Sequence, residues 1–117
     1  MATEIGIPVR VPEDEIEEFT DYLLKVLRSY EDDPTFRTER IRVSREETEE
    51  GSLRTVIFVY RMVGGAFASF SHNRLFIRKS KGEKVYTVKM TTSGDNRGIY
   101  QAGSLVRMII MRWSTRK

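Results

Sequence analysis

The sequence predicts an α+β fold: a four- to five-stranded antiparallel meander sheet with an N-terminal and a C-terminal helix packed on one face. Three observations predict it. Apolar residues recur at helical spacing near both ends of the chain, and between residues 36 and 92 the apolar period falls to two. Turn-forming segments then divide that middle region into hairpin-sized pieces. At 117 residues the chain is read as one domain, 1–117, with length enough for one hydrophobic core.

The elements follow in order. Ile5, Ile7, Val9 and Val11 alternate with Gly6, Pro8 and Arg10, the pattern of a short strand. Pro8 has no N–H to give a central ladder, so the strand belongs at an edge. Pro12 suits the first position of a helix, and Glu13, Asp14, Glu15, Glu17 and Glu18 suit the positive end of its dipole. Ile16, Phe19, Leu23, Val26, Leu27 and Tyr30 then predict an amphipathic helix over 13–32, which Asp33-Pro34 ends.

"FRTERIRVSR" places Ile41 and Val43 opposite Arg40 and Arg42 as a strand, and "EETEEGS" reads as a polar turn. "LRTVIFVYRMV" is apolar on both faces and reads as a central strand. Gly64-Gly65 supplies the backbone freedom of a two-residue hairpin turn. Such a turn opposes Val63 to Ala66, Arg61 to Ala68, Val59 to Phe70, Ile57 to His72 and Thr55 to Arg74. Arg61, Phe70, His72, Arg74, Phe76 and Arg78 then share one side of the sheet. Val56, Phe58, Tyr60, Met62, Phe67, Leu75 and Ile77 form the core side. A bulge near Ser71–Asn73 in the strand 66–79 would break this alternation. "SKGEK" closes a second hairpin, and "KVYTVKMTT" supplies the last strand.

Ser93-Gly94-Asp95-Asn96 reads as loop and helix cap before a final helix over about 97–113. Its apolar set, from Ile99 and Tyr100 to Met111 and Trp113, is too wide for a helix that covers only one sheet. Such a helix lies deep between layers or meets another molecule.

Composition excludes several classes. The chain has no cysteine and one histidine, which removes disulfides, thiolate metal sites and cysteine nucleophiles. No run of about 18 apolar residues predicts a membrane span. The opening Met-Ala-Thr-Glu-Ile is unlike a signal peptide, so a soluble, cytoplasmic location is expected. The net charge of +3 conceals a division. Residues 1–51 carry 15 acidic and 7 basic side chains, and residues 52–117 carry 2 acidic and 13 basic ones. The division implies either a basic surface that attracts phosphate or two halves that neutralise each other within the fold.

The basic, aromatic side of the sheet is the leading candidate site. Arg61, Arg74, Arg78, Lys79, Lys81, Lys84 and Lys89 would hold phosphates, and Phe70 and Phe76 would stack bases of RNA or single-stranded DNA. The alternative is a homodimeric or partner-docking module that uses this face or the last helix through Met108, Met111 and Trp113. Thr92, Ser93 and Arg97 lie at a helix N-terminus, where amides can hold an anion, although a plain helix cap accounts for the same residues. A phosphate-loop lysine is absent from this segment, and no cofactor motif is evident. His72 lacks a neighbouring acid to orient it as a general base. Glu46, Glu47, Glu49 and Glu50 lack calcium-loop spacing. A non-enzymatic binding domain is therefore expected, with neither metal nor cofactor.

Two resemblances accompany this reading. The order helix, antiparallel strands, helix resembles the double-stranded-RNA-binding domain and the Alu-RNA-binding proteins of the signal recognition particle. The former opens its last helix with Lys-Lys-x-Ala-Lys, where this chain has "NRGIYQAGS". That stretch through "LVRMIIMRW" also resembles the first helix of Alba-type nucleic-acid-binding proteins, which sits near the start of their domain. Neither resemblance defines a family for this chain.

Overall fold

The structure, a computed structural model, describes residues 2–48, 51–63 and 68–116. Five strands, β1 (Thr3–Pro12), β2 (Phe36–Thr48), β3 (Gly51–Met62), β4 (Ser69–Arg78) and β5 (Val85–Gly94), form one antiparallel sheet in the order β1-β5-β4-β3-β2. Helices α1 (Ile16–Ser29) and α2 (Asn96–Ser114) pack on one face of it. The expected α+β architecture is therefore present, with the N-terminal strand joining the far side of the meander beside β5.

Both edge strands carry irregularities that serve the core. In β2 the pairing shifts by one between Glu39 and Arg42. The bulge brings Ile41 to the core cluster. In β1 the shift falls between Ile7 and Arg10 and takes in Pro8, the residue that cannot donate to a ladder. Ile7 and Val11 both remain buried. The polar segment expected as a turn after Arg45 is instead strand as far as Thr48, and β3 starts at Gly51.

The helix expected over 13–32 resolves into a 3₁₀ turn at Glu13–Glu15 followed by α1. Phe19, Leu23 and Leu27 are almost wholly buried, in one core cluster with Val56, Phe58, Leu75, Ile77 and Met90 of the sheet. Each such side chain contributes about 1.5–3 kcal/mol by leaving water. The broad apolar stripe of α2 is explained by two neighbours: the sheet on one side and α1 on the other. Trp113 is buried with its ring centroid 5.5 Å from Phe19 and 5.6 Å from Tyr22.

The polar side chains that β4 turns to the inner face are partnered. Ser71 Oγ donates to Gly98 O at 3.0 Å, and Thr92 Oγ1 donates to Asn73 Oδ1 at 2.6 Å. Asn73 Nδ2 donates to Ser71 O at 3.2 Å, and Ser69 Oγ donates to Gln101 Oε1 at 2.6 Å. These bonds let β4 run unbroken from Ser69 to Arg78, so the bulge considered near Ser71–Asn73 is absent. Arg54 is buried on the same face and forms a charge pair with Glu17 of α1. Its Nη1 also donates to Thr20 Oγ1 at 3.3 Å, while its buried Nε has no partner. Glu17 sits below the usual carboxylate range because the Arg54 guanidinium hydrogen-bonds and attracts it.

Candidate nucleic-acid interface

The site is built on the sheet face away from the helices. Its register differs from the expected one. Arg61 opposes Phe70, Val59 opposes His72, Ile57 opposes Arg74 and Thr55 opposes Phe76, with Met62–Ser69 the last pair. Gly64, Gly65, Ala66 and Phe67, where the two-residue turn was expected, lie outside the described residues. The observed pairing is offset by two from the expected pairing, and an offset of two leaves every side chain on its own face. Hydrophobic alternation alone does not distinguish the two registers.

The face can be followed row by row across the strands. One row runs Arg10, Thr87, Arg78 and Leu53, and the next runs Gly6, Lys89, Phe76, Thr55 and Ser44. A third runs Glu4, Thr91, Arg74, Ile57 and Arg42. Beyond it lie Ser93, His72 and Val59, and finally Phe70, Arg61 and Arg37. Phe70, 38% exposed, meets His72 edge to face with centroids 4.7 Å apart. Phe76 is half-buried, six residues and about 20 Å along the strand. Cations thus surround two aromatic positions on an uncovered sheet.

Phe70 is held in place by the start of α2. Its N–H donates to Asp95 Oδ2 at 3.0 Å, and the Asp95 N–H donates to Phe70 O at 3.2 Å. The other carboxylate oxygen of Asp95 accepts from Gly98 N at 2.6 Å and caps the helix. Gly98 is required by this approach, because a Cβ there would lie 2.1 Å from Phe70 O.

Of the expected phosphate-binding residues, Arg61, Arg74, Arg78 and Lys89 lie on this face with Phe70 and Phe76. Lys81 and Lys84 are exposed on the β4–β5 hairpin. Lys79 does not join them: it is half-buried and its Nζ lies 3.1 Å from Glu13 Oε2. Lys89 Nζ lies 2.8 Å from Glu4, in a pair exposed at both ends. Arg10, Arg37 and Arg42 also belong to the face and were not anticipated as site residues. Their alternation was visible in the sequence, but their proximity to β4 depends on the order of the strands and on the β2 bulge.

Thr92, Ser93 and Arg97 do not converge on an anion site. Thr92 is buried and bonded to Asn73, Ser93 is on the opposite face, and the Gly98 amide is taken by the chain's own Asp95. Arg97 is exposed in the first turn of α2. The expected contact residues of α2 also separate. Trp113 belongs to the core, Met108 is half-buried against it, and Met111 is exposed. The side chains of Glu46, Glu47, Glu49 and Glu50 lie outside the described residues. His72 is exposed on the open face, and Asp95 spends its oxygens on backbone amides rather than on it. No helix is long and apolar enough to cross a membrane among the described residues.

Of the ion pairs between the two halves of the chain, Glu4–Lys89 lies on the open face and others lie on the helix side. Glu13, Glu15 and Glu17 of the acidic half pair with Lys79, Arg116 and Arg54 of the basic half, all away from the open face. Arg10, Arg37, Arg42 and Arg74 have no carboxylate partner among the described residues. Comparison with protein-family models, curated proteins and solved structures gives no match.

Proposed function

We propose that the chain binds single-stranded RNA or DNA across the open face of its sheet. One observation carries this reading: Phe70, His72, Arg74, Phe76 and Arg78 project from one uncovered side of β4, flanked by arginines of β1, β2 and β3. Rings of this kind stack bases of any sequence, and the surrounding cations hold the phosphates. A sheet face that no helix covers leaves room for splayed bases, which a duplex does not present.

The test is a fluorescence-anisotropy titration of the folded chain with labelled single-stranded and duplex oligonucleotides over a range of salt. Single strands are expected to bind more tightly, with a salt slope of about 0.7 per phosphate contact. No binding at low salt to single-stranded RNA or DNA refutes the proposal. The rival reading is a homodimer or partner-docking surface, favoured by the apolar Ile57, Val59 and Phe70 within the face. Sedimentation velocity separates the two, because a chain that stays monomeric while oligonucleotide binding saturates excludes the homodimer.

A further inference from the structure

We infer that the cavity between the β4–β5 hairpin and β1 is a base-reading subsite in which Phe76 stacks one nucleobase and Glu83 selects bases that carry an amino group, guanine above all. This deepens the single-strand reading and rests on it.

The cavity has a volume of about 740 Å³, within the usual range for ligand sites. Its apolar lining comes from Leu53, Phe76 and Val85, all half-buried. Arg10, Arg78 and Lys89 supply cations around that lining. An apolar ring surface ringed by cations suits a nucleotide, whose base is flat and whose phosphates are anionic. The Lys89–Glu4 pair is exposed, so a phosphate displaces Glu4 at small cost.

Glu83 is the feature that backbone binding leaves unexplained. It lines the same cavity, and among the described residues nothing donates to its carboxylate. A carboxylate in a phosphate-binding wall repels the strand unless it faces a donor. Ionised glutamate only accepts hydrogen bonds, through two oxygens side by side. Guanine presents N1–H and the N2 amino group together on its Watson–Crick edge, which matches those two oxygens. Cytosine and adenine present a single amino group there. Uracil turns carbonyl oxygens toward much of the same edge and leaves only one N–H. The expected order is guanine, then cytosine and adenine, then uracil.

The experiment measures anisotropy at one salt concentration with oligouridylates that carry uracil, cytosine, adenine or guanine at one central position. The wild-type chain is expected to bind the guanine strand about tenfold more tightly than the all-uracil strand. Glu83→Gln, in an exposed hairpin, is expected to keep the fold by circular dichroism and to reduce that preference to about twofold or less, because its amide both donates and accepts. Phe76→Ala is expected to weaken all four strands together by about tenfold. Equal wild-type affinity for the four strands overturns the subsite, as does a preference that survives Glu83→Gln; in both cases binding itself leaves the single-strand reading standing. Failure of the wild-type chain to bind any of them overturns both.

Discussion

Ser69, Ser71 and Asn73 on the inner face of β4 alternate in sequence with Phe70, His72 and Arg74 on its outer face. The inner residues are small and polar, yet they are buried and each has hydrogen-bond partners within the fold. Among the outer residues Phe70 is a large apolar ring, yet it remains 38% exposed. At Ser69, Ser71, Asn73 and Phe70 the usual distribution, in which large apolar groups are buried and polar groups face water, is inverted. The inner inversion has a packing cause: the first turn of α2 lies so close to β4 that glycine is needed at Gly98 and small side chains beneath it. No such packing cause accounts for the outer face, which is why it is read as a contact surface.

Substitutions sharpen this contrast. Gly98→Ala is expected to have the largest effect, about 3 kcal/mol of lost stability, because its Cβ meets the Phe70 backbone and not a side-chain tip that can yield. Alanine's better helix propensity recovers only about 1 kcal/mol. Chemical denaturation measures the difference, and a variant as stable as the parent would show that α2 does not press on β4. Phe76→Ala is expected to cost about 1–3 kcal/mol of single-strand binding while changing stability much less. Its companion Arg74→Ala is expected to lower the salt slope by about one phosphate contact. Equal losses of binding and stability would place these residues in the scaffold and not in the contact surface.

A smaller effect is expected for Glu17→Gln, read through pH. Arg54 holds the folded Glu17 carboxyl below its ordinary value of 4.5. The stabilisation is therefore present above that value and is lost as pH falls through the lower folded one. Glu17 is 72% exposed, so solvent screens the interaction and the effect is modest. The acid side of a stability–pH profile should flatten in the variant, and an unchanged profile would mean that other carboxylates set it. Least of all, Tyr100→Ala and Met111→Ala are expected to stay within about 0.5 kcal/mol in stability. Both side chains are exposed on α2, at 74% and 66%. Loss of self-association in either variant by sedimentation would restore α2 as an interface.

Alternation and helical spacing were enough to determine the element types and the two-faced character of β3 and β4, and they place Phe70, His72, Arg74, Phe76 and Arg78 on one side once the structure shows β4 free of a bulge. These are local properties, since a period of two or of 3.6 residues assigns faces without reference to any partner strand. Three features depended on the tertiary structure. The register of β3 on β4 did, because an offset of two preserves every face and alternation cannot choose between the two. The arrival of Arg10 in one row with Arg78, across Thr87, did, because it follows from β1 crossing to pair with β5. The roles of Lys79, Thr92 and Trp113 did as well: each carries the chemistry of a contact residue in sequence, and each has its partner inside the fold, in Glu13, Asn73 and Phe19.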